Sequence, residues 1–560
     1  MGSFVPAIFL YRYGVGVCLA LVGLAAALMA MCDAGVPVPQ ALFAVVWALL
    51  WIIAVVTWLS TSWHAARYGA HALWPLALVG LMVLYVSVRL VGSSFAVDDE
   101  LTSWNYWAEQ HFLGMPADFT FTKAAYPQLF AAWIASIYRA VGTFEWQWVA
   151  RASLVLVTLW LGLLLVRAAD RKGRRGAWVA AVLLLLLWLD GFRISFGRGL
   201  ADPLMVVALL TSVHYFLEYA RDPRRTAALM FCVSSAIVAS YTKQPALLWG
   251  CLGLPILTGW QVVRGAWQRW TLIPVAISSL ISAAWPLLFG RGFAHNQGVI
   301  TRSLAQRGVM EQLGHSALTY LVDRPAVLLL MIASLALCWS KPVLRSIWLI
   351  LLLPSMLAWF IWGAYSLRLG LHVLGLAALL LLHALEDVPV AETASAARAR
   401  HGCRAALLMT VFAMVGAAGT TMWWVARQGI DIWHGPEITL RRYFGDDEES
   451  VRAIYRSKVP IWVSSNYLNG MFYGGTPVTA PRVTNEGYGR NDLFHDLAEA
   501  QAQYAFTAGA VPYGSSSLVL EQAASACPQL FHEITRHSNE LGFHVYRVDL
   551  ASLRSGLCRG

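Results

Sequence analysis

Charged side chains are scarce in this sequence, and their scarcity excludes an ordinary soluble protein. Only 13% of the 560 residues are Asp, Glu, Lys or Arg, whereas 58% are hydrophobic and 26 are Trp. Soluble domains carry about 25% charged residues, so the composition belongs to the membrane class. The net charge of +10 is spread over short loops between apolar segments. That distribution follows membrane topology and excludes nucleic acid as a partner.

Several catalytic signatures are also missing. The sequence has no Walker loop, no His-Glu-x-x-His motif, no CxxC pair and no nucleophile elbow, which argues against the enzyme classes built on them. Paired broken helices of the transporter kind and repeats of solenoid period are absent too. Cysteines are few, and six of the eight lie in or beside apolar segments. The other two, Cys527 and Cys558, lie in the polar tail. If the tail faces an oxidising compartment, a disulfide and two free thiols are both open alternatives for this pair.

Apolar runs dominate what is present. They predict an α-helical polytopic membrane protein with about 13 transmembrane helices in residues 1–426, followed by a small C-terminal α/β domain at 427–560. The first run is too long for a signal-peptide core and lacks a convincing cleavage site, so we expect it to remain as an anchor. The predicted spans are 8–31, 41–60, 73–95, 146–166, 177–193, 202–220, 226–241, 245–263, 271–290, 326–340, 344–362, 366–385 and 405–426.

Basic loops predict the orientation. Lys and Arg gather in the loops 61–72, 167–176, 221–225 and 386–404, which fall on one side if every span is crossed. The positive-inside rule makes that side cytoplasmic. We therefore expect the N-terminus to lie in the cytoplasm. The loop that contains Asp98, Asp99 and Glu100, the 291–325 loop and the C-terminal domain are expected on the opposite side.

Three consecutive acids, Asp98, Asp99 and Glu100, follow the third apolar span. Acids at a membrane boundary are costly and usually functional. Neighbours on a helix diverge by about 100°, so one of the three is expected to face a site. Asp99 shares a face with Ser103 and Tyr106 and is the preferred candidate. The alternative is that the acids cap a surface helix, with Asp98 as the cap.

The loop at 96–142 is expected to carry two short helices lying on the membrane surface. Apolar residues recur at helical spacing in both, and polar residues occupy the opposite side of the first. The apolar positions are Leu101, Trp104, Ala108 and Phe112 in the first helix, and Leu129, Trp133 and Ile137 in the second.

Further charged residues lie at the predicted outer ends of spans. Asp202 precedes Pro203, which is typical of a helix start and equally allows a second acid in the site. Basic residues on the outer side violate the positive-inside rule, which an anionic ligand explains, with interfacial snorkelling as the alternative. These basic residues are Arg198, Lys243, Arg291 and Arg368.

Histidines and arginines near these positions have open roles. His372 follows Arg368 by one helical turn and either joins the site or is a satisfied interface histidine. The 291–325 loop holds His295, Arg302 and Arg307, which either contact an acceptor or hydrate the loop.

The C-terminal domain is expected to contain a helix at 446–457, a strand in PIWVSS, a helix near 493–504 and closing strands in LFHEITRH and FHVYRVDL.

Six motifs, taken together and in chain order, resemble the GT-C glycosyltransferases. The motifs are DDELTSWNYWAEQHF, AYPQL, YRAVG, GRGLADPL, SYTKQPALL and YSLRLGLHVLG. The similar branch holds the protein O-mannosyltransferases and the lipid A aminoarabinose transferases, and the chain looks like a divergent member. The resemblance implies transfer of one sugar from a polyprenyl-phosphate donor to a lipid, glycan or protein acceptor, with inversion. The enzyme is then expected in a bacterial inner membrane, with the site on the periplasmic face.

The resemblance also suggests residue roles. Asp99 is the expected base, with Asp98 and Glu100 as alternatives, and Asp202 is a second acid. Relatives can hold a divalent metal, but this sequence shows no clear ligand set and no certain cofactor. Two other functions stay open: an O-antigen polymerase or ligase using Arg302, Arg307 or His315, and a transporter of lipid-linked sugars. The expected phosphate-binding residues are Lys243, Arg291, Arg368 and Arg198, and the expected substrate-binding residues are Tyr126, His372 and His295.

Overall fold

The structure of the protein is a computed structural model, and most of its described residues are helical. The described residues are 5–68, 73–95, 99–115, 117, 126–289, 308–363, 366–387, 419, 434, 440, 444–464, 478–479, 488–507, 515–535, 544–555 and 558.

The first half of the bundle begins with three long helices, α1 (Val5–Asp33), α2 (Gln40–Tyr68) and α3 (Leu73–Leu90). A π-helical turn, Glu100–Trp104, leads into α4 (Asn105–Leu113), and α5 (Leu129–Val141) follows. The next helices are α6 (Gln147–Asp170), α7 (Gly173–Leu187), α8 (Arg193–Phe196), α9 (Ala201–Arg221) and α10 (Thr226–Thr242). A π-helical turn, Trp188–Phe192, joins α7 to α8 without a loop.

In the second half, helices are interrupted by short turns of π or 3-10 geometry. The helices are α11 (Leu254–Val263), α12 (Leu272–Phe289), α13 (Val309–Ala317), α14 (Pro325–Trp339), α15 (Pro342–Ile347), α16 (Leu353–Ala358) and α17 (Leu371–Ala384). The turns are Gln244–Ala246, Leu248–Gly253, Arg269–Thr271, Leu318–Val322, Trp348–Leu352, Trp359–Gly363 and Leu367–Gly370. Prolines at the first turns of α14, α15 and α16 fit these starts, because proline lacks the N–H that an interior helical position must donate.

The described residues contain nine helices long and apolar enough to cross a membrane, or ten if a bent pair counts as one span. The chain is therefore an integral membrane protein, and the count of about 13 stays a prediction. The bent pair joins Val309–Val322 to Pro325–Trp339 at 96°. Residues 226–241 form a shorter apolar helix, Thr226–Thr242, and the predicted span 405–426 lies outside the described residues apart from Gly419.

The two helices after the acidic loop differ from the surface pair that we expected. Both form, but α4 is buried on all sides from Asn105 to His111, and α5 from Leu129 to Tyr138. The amphipathic prediction was wrong because α5 packs among α1, α2, α4 and α6. The polar side chains of α4 make hydrogen bonds inside the protein rather than with water.

The C-terminal domain contains a five-stranded mixed sheet in the order β2-β1-β3-β5-β4. The strand β1 (Ile461–Val463) pairs in parallel with β2 (Val478–Thr479) and with β3 (Tyr504–Phe506). The strand β5 (Val545–Val548) is antiparallel to both of its neighbours, β3 and β4 (Phe531–Glu533). The helices are α18 (Glu448–Ser457), α19 (Arg490–Glu499), α20 (Ser515–Ala526) and α21 (Leu550–Arg554). Cys527 and Cys558 form a disulfide. The predicted helix at 446–457 and the three predicted strands are confirmed, while β3 replaces the end of the helix expected near 493–504.

Two of the predicted basic loops meet at one end of the bundle. Arg171 bonds Glu218 near the end of α9 at 3.3 Å, and Arg225 bonds the same carboxylate at 2.9 Å. Lys172 contacts Asp387 and the carbonyl of Leu385 beyond α17. The loops 167–176 and 221–225 therefore share one end with the chain following α17, as the alternation of the spans predicts.

Candidate active site

Four charged residues from four separate segments meet at the other end of the bundle, which we call the site end. Asp99 immediately precedes the π-helical turn before α4, and Asp202 lies in the first turn of α9. Lys243 follows the last residue of α10, and Arg368 lies in the 3-10 turn before α17. We call these residues the charge cluster.

The distances within the charge cluster are short. Lys243 Nζ lies 2.6 Å from Asp202 Oδ1, and the side chains are only 10% and 2% exposed. Arg368 Nη2 donates to Asp99 Oδ2 at 2.7 Å. Arg368 Nε lies 3.6 Å from Asp202 Oδ2, so the guanidinium stands between the two carboxylates. A buried pair is tolerated only when both charges are matched, and here Lys243 and Arg368 together surround Asp202.

The local backbone explains why Asp202 and Lys243 can meet. Leu200 occupies the cap position of α9, so Asp202 is inside the first helical turn and does not act as the cap. Lys243 has an extended conformation, with φ −161° and ψ 149°, between α10 and the turn opened by Gln244 and Pro245. The break in the helix turns the lysine toward α9 instead of toward lipid. The interpretation of Asp202 as the cap of α9 is therefore wrong, and its role as a second acid stays a prediction.

Glu100 is separated from the charge cluster, although it follows Asp99 directly. Its side chain is fully buried, with Oε2 2.8 Å from Arg151 Nη1 and Oε1 accepting from the Gly199 N–H at 2.5 Å. Because both oxygens have partners, we correct the expectation that Glu100 is an alternative base. Its bonds instead tie the acidic loop to α6 and to the turn that precedes Asp202.

Gly199 allows this connection. A Cβ at this position would lie 2.3 Å from Phe95 Cε1, which no larger residue tolerates without displacement. The backbone therefore approaches closely enough for its N–H to reach Glu100. Arg151 also places its guanidinium 5.3 Å from the centre of the Phe95 ring. Glu100, Arg151 and Gly199 thus fix Asp99 and Asp202 relative to each other.

Tyr126, expected to bind substrate, packs against two tryptophans in the segment that follows Asp99. Its ring centre is 6.0 Å from that of Trp104 in an edge contact and 5.8 Å from that of Trp107. Its carbonyl accepts from Gln128 Nε2 at 3.1 Å, and Gln128 Oε1 lies 3.2 Å from His111 Nε2. His111 Nδ1 lies 2.7 Å from Asp33 Oδ2 at the end of α1. This chain of contacts was not predicted, because no spacing links Asp33 to His111.

His372 is buried in the first turn of α17. Its position is one helical turn after Arg368, a member of the charge cluster.

The remaining expected site residues are placed elsewhere or lie outside the described ranges. Arg198 is exposed and makes no ion pair with the charge cluster among the described residues. His315 is exposed on α13. Within the described ranges no group of three or more His, Cys, Asp or Glu side chains is arranged to hold a metal. The expected residues that lie outside are Asp98, Arg291, His295, Arg302 and Arg307.

A buried acid in α4 was also missed. Glu109 in α4 accepts from Asn105 Nδ2 at 2.7 Å and from Gln147 Nε2 at 3.2 Å. Gln147 Oε1 accepts from the Phe95 N–H at 3.0 Å, which anchors the start of the acidic loop. Burial raises the pKa of Glu109 to about 8, so the carboxyl is mostly protonated at neutral pH.

The fold is similar to that of ArnT. The crystal structure of ArnT from Cupriavidus metallidurans bound to undecaprenyl phosphate aligns with a TM-score of 0.49 at 14% identity, covering 86% of this chain and 98% of that chain. The apo state of the same protein gives a TM-score of 0.47 at 14% identity, covering 85% and 98%. No protein-family model and no curated protein sequence matches this chain. At these values the likeness assigns no role to any residue here.

Proposed function

We propose that this protein is a membrane glycosyltransferase that moves one sugar from a polyprenyl-phosphate donor to an acceptor. The observation that supports this proposal is the charge cluster, in which two carboxylates and two cations from distant segments converge at one end of the bundle. Sugar transfer with inversion needs one carboxylate to accept the proton of the attacking hydroxyl. It also needs cations to stabilise the charge that develops on the leaving phosphate.

Asp99 is the proposed base. Its side chain is 43% exposed, whereas that of Asp202 is 2% exposed and bonded to Lys243. An acceptor hydroxyl can therefore reach Asp99 but not Asp202. Asp202 is proposed to orient Lys243 and Arg368 rather than to take a proton.

Arg368 is the proposed ligand of the donor phosphate. Its planar guanidinium suits the geometry of a phosphate better than an ammonium does. Because Arg368 already contacts Asp99, an incoming phosphate competes for the same guanidinium. Donor binding would then loosen the contact between Arg368 and Asp99, which leaves the carboxylate available to the acceptor. Lys243 adds a second positive charge, and Arg291 stays a proposed contact outside the described residues.

The surroundings of Asp99 fit a sugar on a lipid carrier. Tyr126 packs against Trp104 and Trp107 of the segment that follows Asp99, and such rings combine apolar contact with a polar edge. His372 is proposed to contact the donor from the side of Asp202, and His295 to contact the acceptor.

We further propose that the site end faces the periplasm of a bacterial inner membrane, with the N-terminus in the cytoplasm. The paired basic loops lie at the opposite end, which agrees with the positive-inside rule. The disulfide between Cys527 and Cys558 favours an oxidising compartment for the C-terminal domain.

The test is mass spectrometry of lipids that co-purify with the full-length protein. We expect polyprenyl-phosphate sugars to be enriched with the wild type and strongly depleted with Arg368→Ala. Arg175→Ala is the matched control, because Arg175 is an exposed arginine at the opposite end of the bundle. Equal amounts of these lipids in Arg368→Ala and wild type would contradict the phosphate assignment. Absence of any prenyl lipid from the wild type would contradict the proposed donor.

A further inference from the structure

The 3-10 turn Leu367–Gly370, which carries Arg368, is held at both of its ends by one tryptophan. Trp359 Nε1 donates to the Ser366 carbonyl at 3.3 Å, just before the turn begins. At the other end, a Cβ on Gly370 would lie 2.3 Å from Trp359 Cε2 and 2.4 Å from Cζ2. The backbone of Gly370 therefore lies directly against the indole ring, a contact that no larger residue makes without displacement.

Trp359 is itself fixed by the residues around it. It is 3% exposed, and its ring centre lies 4.7 Å from that of Tyr320 and 5.1 Å from that of Phe360. The backbone of Phe360 is held as well, because its carbonyl accepts from Ser316 Oγ of α13 at 2.8 Å. Buried rings packed in this way have few alternative positions. The indole is therefore a rigid support for the turn.

A second close contact holds the first residue of the turn. Leu367 packs against Gly191 of the π-helical turn Trp188–Phe192, where a Cβ would lie 2.8 Å from Leu367 Cδ2. Gly191 also has φ +123°, a conformation that favours glycine. Together with the tryptophan, this contact fixes the backbone immediately before and shortly after Arg368.

Arg368 needs a fixed backbone most when its guanidinium changes partners. Its Nη2 lies 2.7 Å from Asp99 Oδ2, and its Nε lies 3.6 Å from Asp202 Oδ2. Under the proposed function an incoming phosphate replaces Asp99, so one of these two restraints is lost. An arginine side chain has high rotamer entropy, and a fixed backbone limits the positions that its guanidinium can reach.

We infer that Trp359 is a positioning residue that directs Arg368 into the charge cluster by holding the turn at Ser366 and Gly370. The consequence for donor binding rests on the proposed function, whereas the effect on the position of Arg368 does not. Trp359 acts through the turn, so loosening the turn should change the behaviour of Arg368 and leave neighbouring arginines as they are.

The experiment measures how fast phenylglyoxal, which reacts with accessible guanidinium groups, modifies Arg368 in the full-length protein, with the modified peptides mapped by mass spectrometry. Gly370→Ala places a methyl group against the indole ring and should displace the turn. We expect Arg368 in this variant to react about three- to tenfold faster than in the wild type, the range that ordering one long side chain is worth. Arg198, an exposed arginine four residues before Asp202, should react at the wild-type rate.

Gly253→Ala is the matched control. A Cβ on Gly253 would lie 2.8 Å from Cε3 of Trp249, which is fully buried, so the same methyl group meets a buried tryptophan in a different turn. This control should leave the modification rate of Arg368 unchanged. Trp359→Phe is a second variant, which keeps an aromatic ring but loses the Nε1 bond to the carbonyl before the turn. It should raise the rate at Arg368 by a smaller factor than Gly370→Ala does.

Two results would overturn the inference. One is a wild-type rate at Arg368 in both Gly370→Ala and Trp359→Phe. The other is an equal increase at Arg198 or in the Gly253→Ala control, because that pattern shows general loosening of the bundle instead of the positioning of one residue.

Repeating the measurement with undecaprenyl phosphate separates the inference from the proposed function. The lipid should slow the modification of Arg368 in the wild type, and should slow it less in Gly370→Ala. If the lipid gives no protection in the wild type, the phosphate assignment of Arg368 fails. The rates without lipid still decide whether Trp359 positions Arg368.

Discussion

Removing the Lys243 charge should destabilise the protein more than removing the charge of an exposed lysine or arginine. Lys243 Nζ lies 2.6 Å from Asp202 Oδ1, and the Asp202 side chain is 2% exposed. Lys243→Met therefore leaves a buried carboxylate whose remaining cation, Arg368, is 3.6 Å away. Breaking a buried pair costs about 3–5 kcal/mol. The residual attraction of Arg368 places the expected loss near the lower end, about 3 kcal/mol.

The assay is thermal unfolding of the purified protein in detergent, followed by tryptophan fluorescence. The double variant Asp202→Asn/Lys243→Met removes both charges and should recover most of the lost stability, because no buried charge is left unpaired. Arg175→Gln, at an exposed position, should leave the melting temperature unchanged. The reasoning is refuted if Lys243→Met melts like the wild type, or if the double variant is as unstable as the sum of the single variants.

Two further predictions concern buried acids near the site. Glu100→Gln should lower kcat with little change in donor affinity, because the ion pair with Arg151 that orients the acidic loop is lost. It should also lower the melting temperature, since the Arg151 charge is then buried without its partner. The double variant Glu100→Gln/Arg151→Gln should recover the melting temperature but not kcat. Glu109, with its pKa raised to about 8, holds its proton in the folded state while the unfolded chain releases it near its ordinary value. The free energy of unfolding should therefore fall as pH rises from about 4.5 to about 8, by at most ~1.4 kcal/mol per pH unit. Melting curves of Glu109→Gln recorded across this pH range should show a smaller slope. An unchanged slope would contradict a protonated Glu109 in the folded protein.

The sequence predicted the apolar spans well, because a membrane helix is encoded locally by a continuous run of apolar residues. It also predicted Asp99, Asp202, Lys243 and Arg368, since charged residues stand out at the ends of such runs. Arg368 and Asp99 are 269 positions apart, and their contact could be proposed only from resemblance and topology. The pattern alone gives the end of the bundle at which each residue lies, but not its partner.

Other features depend on packing that no local pattern records. The polar side of α4 was expected to face water, yet Tyr106 and Gln110 are buried in the helix, which packs against α5. Glu100 was grouped with Asp99 because the two are adjacent, and only the approach of Gly199 and Arg151 assigns it to a different contact.

The central claim is that the Asp99 carboxylate accepts a proton during sugar transfer. The most direct test incubates the protein with its co-purified lipid-linked sugar and an acceptor extract, and measures release of the free polyprenyl phosphate by mass spectrometry. Asn has nearly the size of Asp and cannot act as the base, and Asp99 is half-exposed, so Asp99→Asn should fold and bind donor normally. We predict that its turnover falls by about 100-fold or more. Wild-type turnover in Asp99→Asn would contradict the account and favour a site in the 291–325 loop.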